Sequence, residues 1–170
     1  DFNLSTQSAA SQTAGASRLA RTYFLHGRYA RATASFGLAR SMLKNAINLA
    51  SDAGRIALQA EAMVQLARVQ AEVGELDHAE SLCNQALELI GTNELGQAAA
   101  YVALAQVEIL RSRPDLALKH IDRALEIGRN MAATFPSALK AESYLARARI
   151  WRDLGRPNRA LGSAKKALEL

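Results

Sequence analysis

One arrangement of small residues recurs along the chain and constrains its fold more than any other feature. Ala67, Ala79 and Ala86 are spaced 12 and 7 apart, as are Ala105, Ala117 and Ala124, and then Ala148, Ala160 and Ala167. Ala20, Ala32 and Ala39 show the same spacing once more upstream. A fixed internal period of this kind marks a stack of repeated units. Between the first and second alanine of each set comes a turn signal: His26-Gly27, Val73-Gly74, Ser112-Arg113 and Leu154-Gly155. Two antiparallel helices cross closely only where their side chains are small, because a larger group would drive the axes apart. Each set therefore predicts a helix hairpin. Its first alanine sits on helix A and its second faces it from helix B. The third, two turns further along helix B, meets the next hairpin. A lone hairpin leaves one face uncovered, and a stack covers it.

The flanking residues follow the same register. Leu19, Leu66 and Leu104 precede the first alanine, with Arg147 in the fourth set. Phe36, Cys83, Ile121 and Ala164 fall between the second and third alanines. Leu87, Leu125 and Leu168 follow the third, with Arg40 as the exception. Pro114 and Pro157 stand just after their turns, where a helix tolerates proline because its first N–H has no intrahelical acceptor.

This pattern resembles the tetratricopeptide repeat, a helix–turn–helix unit of about 34 residues. The resemblance spans nearly the whole chain. Repeat two carries it best, with Leu66-Ala67, Gly74, Ala79 and Ala86-Leu87. Tyr101 and Tyr144 match one aromatic position of the family, Tyr23 and Trp151 another, and Phe36 a third. The resemblance implies an all-α, right-handed superhelical solenoid of about four hairpins. The repeats would cover about 5–53, 55–91, 93–133 and 136–170. The turns fall 47, 38 and 43 residues apart, and the family's helix-B proline is replaced by Lys44, Gly91 and Arg129. Such long repeats resemble those of bacterial signalling proteins, including the sensor regions of LuxR-type regulators.

Local signals set the expected boundaries. Helix A of repeat one ends at His26, and its helix B runs from about Arg28 to Ala53 with Gly54 as a left-handed stop. Repeat two occupies about 55–73 and 76–90, closed by Gly91, and Asn93 caps the helix that follows. Helices over about 94–111 and 114–133 come next, then one opened by Pro136 and one by Pro157. Residues 1 to about 8 form either a frayed arm or the first turn of a long helix. Both chain ends fall inside helical patterns, so further repeats or an effector domain are expected beyond them. The alternative is self-association through the last helix, where Leu161 and Leu168 would lie exposed.

Composition bounds the function. No apolar run approaches the ~18 residues of a membrane span, and no secretory leader opens the chain. One cysteine excludes an internal disulfide, and the default reading is cytoplasmic. His26, His78 and His120 share no metal-ligand spacing with each other or with Cys83. Cys83 replaces an apolar helix-B residue and reads as a buried, inert thiol. There is no phosphate-cradling glycine motif. No catalytic, metal or cofactor site is expected.

The candidate site is a ladder of cations. The resemblance places helices A along a concave inner face, with one position pointing into the groove: Arg21, Arg68, Gln106 and Arg149. Arg18 and Arg152 lie beside it, and Val64, Val102 and Leu145 supply an apolar floor or else belong to the core between repeats. Guanidinium forks suit carboxylate-bearing ligands, and the net charge of +5 agrees. Glu61, Glu72, Glu142 and Asp153 lie on the same helices and could neutralise the row by ion pairing. The family's chaperone-binding carboxylate clamp is absent. The expected role is a protein- or peptide-binding scaffold for a partner with acidic groups, within a bacterial regulatory protein. The alternative is a region that senses a small molecule or signal peptide for an attached output domain. Nucleic-acid binding is disfavoured, because acids interrupt the basic residues and no stacking array of aromatics is present.

Overall fold

Alanine-rich segments of high helix propensity, interrupted by only three prolines, leave the backbone one regular option. The computed structural model describes residues 2–131 and 134–170, with side chains from Gln12 onward. Its helices are α1 (Phe2–Ala32), α2 (Phe36–Asp52), α3 (Ile56–Glu72) and α4 (Leu76–Ile90), then α5 (Glu94–Leu110), α6 (Pro114–Met131), α7 (Ser137–Asp153) and α8 (Pro157–Leu168). No strand occurs among the described residues. Consecutive helices pack together, so the elements form the hairpins α1/α2, α3/α4, α5/α6 and α7/α8. Helices α1, α3, α5 and α7 also touch in succession, whereas α2, α4, α6 and α8 do not meet one another. Among the described residues no contact joins the first hairpin to the last, so the stack is open. This is an all-α, tetratricopeptide-like solenoid.

The turns within hairpins share one geometry. Ala34, Gly74, Ser112 and Gly155 adopt left-handed backbone with φ of 55°, 86°, 58° and 69°. The next N–H reaches back to the last turn of the helix: Ser35 to Ala30 O and Glu75 to Gln70 O at 2.8 Å, Arg113 to Glu108 O at 2.9 Å and Arg156 to Trp151 O at 2.8 Å. This pairing satisfies carbonyls that the helix end would leave without a donor. Helix starts and stops elsewhere match the expected signals. Gly54 and Gly91 are left-handed stops. The Asn93 side chain accepts from the Gly96 N–H at 3.3 Å. Pro114 opens α6 and Pro157 opens α8, while Pro136 sits one residue outside α7 as its N-cap. The expected end of α6 at 133 lies outside the described residues.

Repeat one corrects the sequence reading. His26-Gly27 is not a turn; α1 runs through it to Ala32, and α2 starts at Phe36 rather than Arg28. The left-handed residues place Ala34 where Gly74, Ser112 and Gly155 stand, 40, 38 and 43 residues apart. The small-residue set of repeat one is therefore Gly27, Ala39 and Ala46, which keeps the spacing of 12 and 7. Gly27, Ala39 and Ala46 are buried, whereas Ala32 and Leu19 are exposed. In this register Leu43 replaces Phe36 beside Cys83 and Ile121, and all three are fully buried. Ile47 replaces Arg40 beside Leu87 and Leu125, which removes the exception. Tyr23 likewise shifts into line with Tyr101 and Tyr144.

The physical reason for Gly27 is a close approach. A Cβ on Gly27 would lie 2.6 Å from Leu43 Cγ and 3.3 Å from the Leu43 backbone nitrogen. Where the other hairpins cross on a methyl, this one crosses on hydrogen. The three apolar clusters each join a hairpin to the next helix A: Leu43 and Ala46 with Leu66 and Val69, Cys83 and Ala86 with Leu104 and Val107, and Ile121 and Ala124 with Ala146 and Ile150.

Two substitutions read this register with opposite signs. Gly27→Ala overpacks the α1/α2 crossing and should destabilise the chain by about 1–3 kcal/mol. Ala34→Gly relieves a non-glycine residue held at positive φ and should stabilise it by about 1 kcal/mol. Thermal unfolding measures both. If Gly27 were the turn residue and Ala34 lay inside a helix, Ala34→Gly would be the destabilising change.

Candidate functional site

The row of α1, α3, α5 and α7 forms the inner face, and a cleft of about 270 Å³ crosses all four helices. Arg31, Arg68, Glu72, Gln106, Glu142 and Arg149 line it. Each projects from the C-terminal half of its helix except Glu142, which reaches in from the first turns of α7.

Corrected register changes the ladder. The residue of repeat one equivalent to Arg68, Gln106 and Arg149 is Arg28, which is exposed and lies 5.6 Å from the centre of the Phe24 ring. Arg21 stands two turns away, 5.3 Å from the same ring and 3.6 Å from Glu61. Arg28 and Arg31 escaped the sequence reading because the first turn was misplaced; the match of Leu43 and Ile47 to the later repeats was the signal that could have found them. Val64 and Val102 do not form a surface floor. They are 2% and 0% exposed, each covered by the next helix A, whereas Leu145 at the equivalent place is 53% exposed.

The acids on helices A neutralise most of the row, and they do so mainly between repeats. Arg31 donates to Glu72 at 2.7 Å, joining α1 to α3. Arg68, only 8% exposed, donates to Glu142 at 2.5 Å, and Gln106 donates to the same oxygen at 2.9 Å. Glu142 thus ties α3 and α5 to α7. Arg152 pairs with its neighbour Asp153 at 3.0 Å, well exposed. Arg149 is exposed and has no ionic or hydrogen-bond partner among the described residues, and neither has the Arg18 side chain. The cleft therefore sets two engaged arginines, Arg31 and Arg68, beside an available one, Arg149.

Other ionisable groups serve packing. Arg111, the C-cap of α5, reaches Asp77 and Glu80 of α4 and Glu108 of α5; the hydrogen bond to Glu80 raises its pKa. Burial pushes the Cys83 thiol up to about 12, which removes the thiolate a nucleophile would need. His26 and His78 are exposed. His120 is half-buried, its ring stacked 6.1 Å from Tyr101. Burial lowers its pKa, against an opposing pull from Glu108 and Glu80. Among the described residues no three His, Cys, Asp or Glu side chains gather as a metal site, and no helix is long and apolar enough to cross a membrane.

Comparison with known proteins agrees with this architecture. The sequence model of the tetratricopeptide repeat matches residues 58–130. BtubC (BKLC) from P. vanneervenii superposes with a TM-score of 0.71 at 18% identity, over 89% of this chain and 62% of that one. This chain thus spans less than two thirds of BtubC. MamA superposes with a TM-score of 0.58 at 20% identity, covering 88% of this chain and 77% of MamA. A Podosopora anserina protein with nearly identical TPR-like repeats gives 0.60 at 15% identity, covering 88% and 74%. These likenesses show the fold. A search of curated proteins finds no match.

Glu142→Gln should cost about 2–4 kcal/mol, because it leaves the nearly buried Arg68 without its counter-charge; Asp153→Asn should change stability by less than about 0.5 kcal/mol. Chemical denaturation of both variants checks the contrast. His120 predicts a pH dependence. Its folded pKa lies below the unfolded value of about 6.5, so the unfolded chain takes up a proton first and stability falls as pH drops through that range. Melting temperatures between pH 7.5 and 5.5 should decline in the parent and decline less in His120→Phe.

Proposed function

We propose, from the premise that the chain is a tetratricopeptide-repeat protein, that it is a protein-interaction scaffold whose inner face takes an acidic peptide segment. Such repeats generally bind protein partners and are generally not enzymes. The observation that carries the reading is Arg149: a guanidinium on the open inner face, without a counter-charge among the described residues, beside the cleft that spans four helices. A partner carboxylate would meet Arg149 as a forked donor. Arg18 and Arg21 on α1 and Arg152 on α7 would extend the contact, with Arg28 in the place first assigned to Arg21. Arg68 and Gln106 would take part only by exchanging Glu142 for a partner's acid.

That exchange favours a second reading, in which a ligand acid displaces Glu142 and unties α3 and α5 from α7. A region of this kind would sense a small molecule or signal peptide and change its curvature. Both readings fit a cytoplasmic bacterial regulatory protein in which 1–170 forms one repeat domain of a longer chain.

Selection from a random peptide display library tests the scaffold reading. Recovered peptides should be enriched in Asp and Glu, and Arg149→Glu should weaken their binding about tenfold or more without moving the melting temperature. Peptides of neutral or basic character, or binding indifferent to Arg149→Glu, would remove the inner-face assignment.

A further inference from the structure

Away from the inner face, α7 and α8 enclose a second cleft, and its walls are cationic. Arg147, Trp151, Arg159, Gly162, Ser163 and Lys166 line a volume of about 260 Å³. It lies on the side of α7 turned toward α6, where Arg147 pairs with Asp122 of α6 at 3.1 Å. A further hairpin stacked on α7 and α8 would leave its α8 wall open. In repeat three, where a further hairpin does follow, Leu116, Lys119 and Arg123 stand at the places of Arg159, Gly162 and Lys166, and all three are exposed.

One repeat earlier the chain fills this place with its own ions. Arg111 lies there among Asp77, Glu80 and Glu108. In the last repeat Leu154, Leu118 and Trp151 take the places of Arg111, Glu80 and Glu108. The acids are gone, and cations stand where none stood before. Arg147 has its Nε buried and without a hydrogen-bond partner among the described residues. Arg159 and Lys166 meet no carboxylate among the described residues. They lie against aromatic rings instead, Arg159 4.8 Å from the centre of Trp151 and Lys166 5.8 Å from that of Tyr144. Arg156 stands 5.8 Å from the centre of the same Trp151 ring. Cations gathered around one small cleft repel each other until an anion joins them. The geometry points to a phosphate monoester as that anion. A carboxylate brings a single charge and two oxygens to three cations. A phosphomonoester brings a charge of about −1.5 to −2 near neutral pH and three acceptor oxygens. Its oxygens would meet Arg159 and Lys166, with Arg147 behind them, and its organic part would lie along Trp151. A cleft of this size suits one esterified phosphate rather than an extended polyanion.

Trp151 is the chain's one tryptophan, so its fluorescence reports on this cleft alone. The 170-residue chain is titrated at pH 7.5 with inorganic phosphate, glycerol 3-phosphate and an N-acetylated phosphoserine amide, each against sodium chloride of matched ionic strength. Phosphate should give a saturable change that chloride does not. At least one ester should bind more tightly than inorganic phosphate, and the tighter of the two names the source, a phosphorylated metabolite or a phosphorylated side chain. Lys166→Glu and Arg159→Glu should each weaken binding about tenfold. Calorimetry reads the same variants without relying on the ring that Arg159 touches. Both alter exposed side chains, so circular dichroism should show unchanged helicity. This cleft shares no residue with the inner face, and Arg149→Glu should leave the titration unchanged, so either reading can fail without the other. A signal that chloride reproduces, or one that neither Lys166→Glu nor Arg159→Glu weakens, would overturn the proposal. Esters that bind no better than inorganic phosphate would also overturn it, and so would displacement of phosphate by a micromolar single-stranded oligonucleotide, which would name a polyanion as the occupant.

Discussion

The close crossing of two helices on residues no larger than a methyl is the constraint from which the rest of this structure follows. It lets helix axes approach until neighbouring backbones share one packed layer, and it leaves little room for large side chains between them. At Gly27 the approach to Leu43 is tighter than a Cβ allows. Once each hairpin is closed in this way, its remaining apolar surface lies on one side, and burying that surface requires the next helix A. The three apolar clusters, each bridging a hairpin and its successor, are the result. An open row of helices A follows from the same geometry, and so does an inner face available for recognition.

Much of this was legible in the sequence because the small residues, their flanking leucines and the glycine and proline punctuation all agreed in repeats two to four. Repeat one failed for a definable reason. Seven residues turn a helix almost two full turns, so a register shifted by seven keeps the same face inward. Ala20, Ala32 and Ala39 satisfy the spacing of 12 and 7 as well as Gly27, Ala39 and Ala46 do. Gly27 was read as a turn because glycine marks turns, yet here it marks a crossing, and the turn itself uses Ala34 at a φ of 55°. The misplacement carried Arg21 into the ladder and left Arg28 and Arg31 out of it.

The inner face shows a different limit. The sequence placed arginines and acids on the same helices, but spacing along a helix does not say which neighbour a long side chain will reach. The pairs that formed between repeats, Arg31 with Glu72 and Arg68 with Glu142, span 41 and 74 residues of chain. They convert a uniform cationic row into an uneven one, tied in the middle and free at Arg149. Exposed pairs such as Arg21 with Glu61 contribute little to stability. The Arg68 pair is nearly buried on one side, and it couples repeat two to repeat four. In the proposed role, such a face would discriminate by which of its own ion pairs a ligand can replace.

The α1/α2 crossing gives the most direct measurement of the central claim. In a nuclear Overhauser spectrum of the chain with labelled leucine methyls, the account predicts strong cross-peaks between the Gly27 α protons and the Leu43 methyl groups. Gly27 α protons that show no cross-peak to Leu43, together with a Gly27 amide that exchanges rapidly with solvent as a turn residue's would, would contradict it.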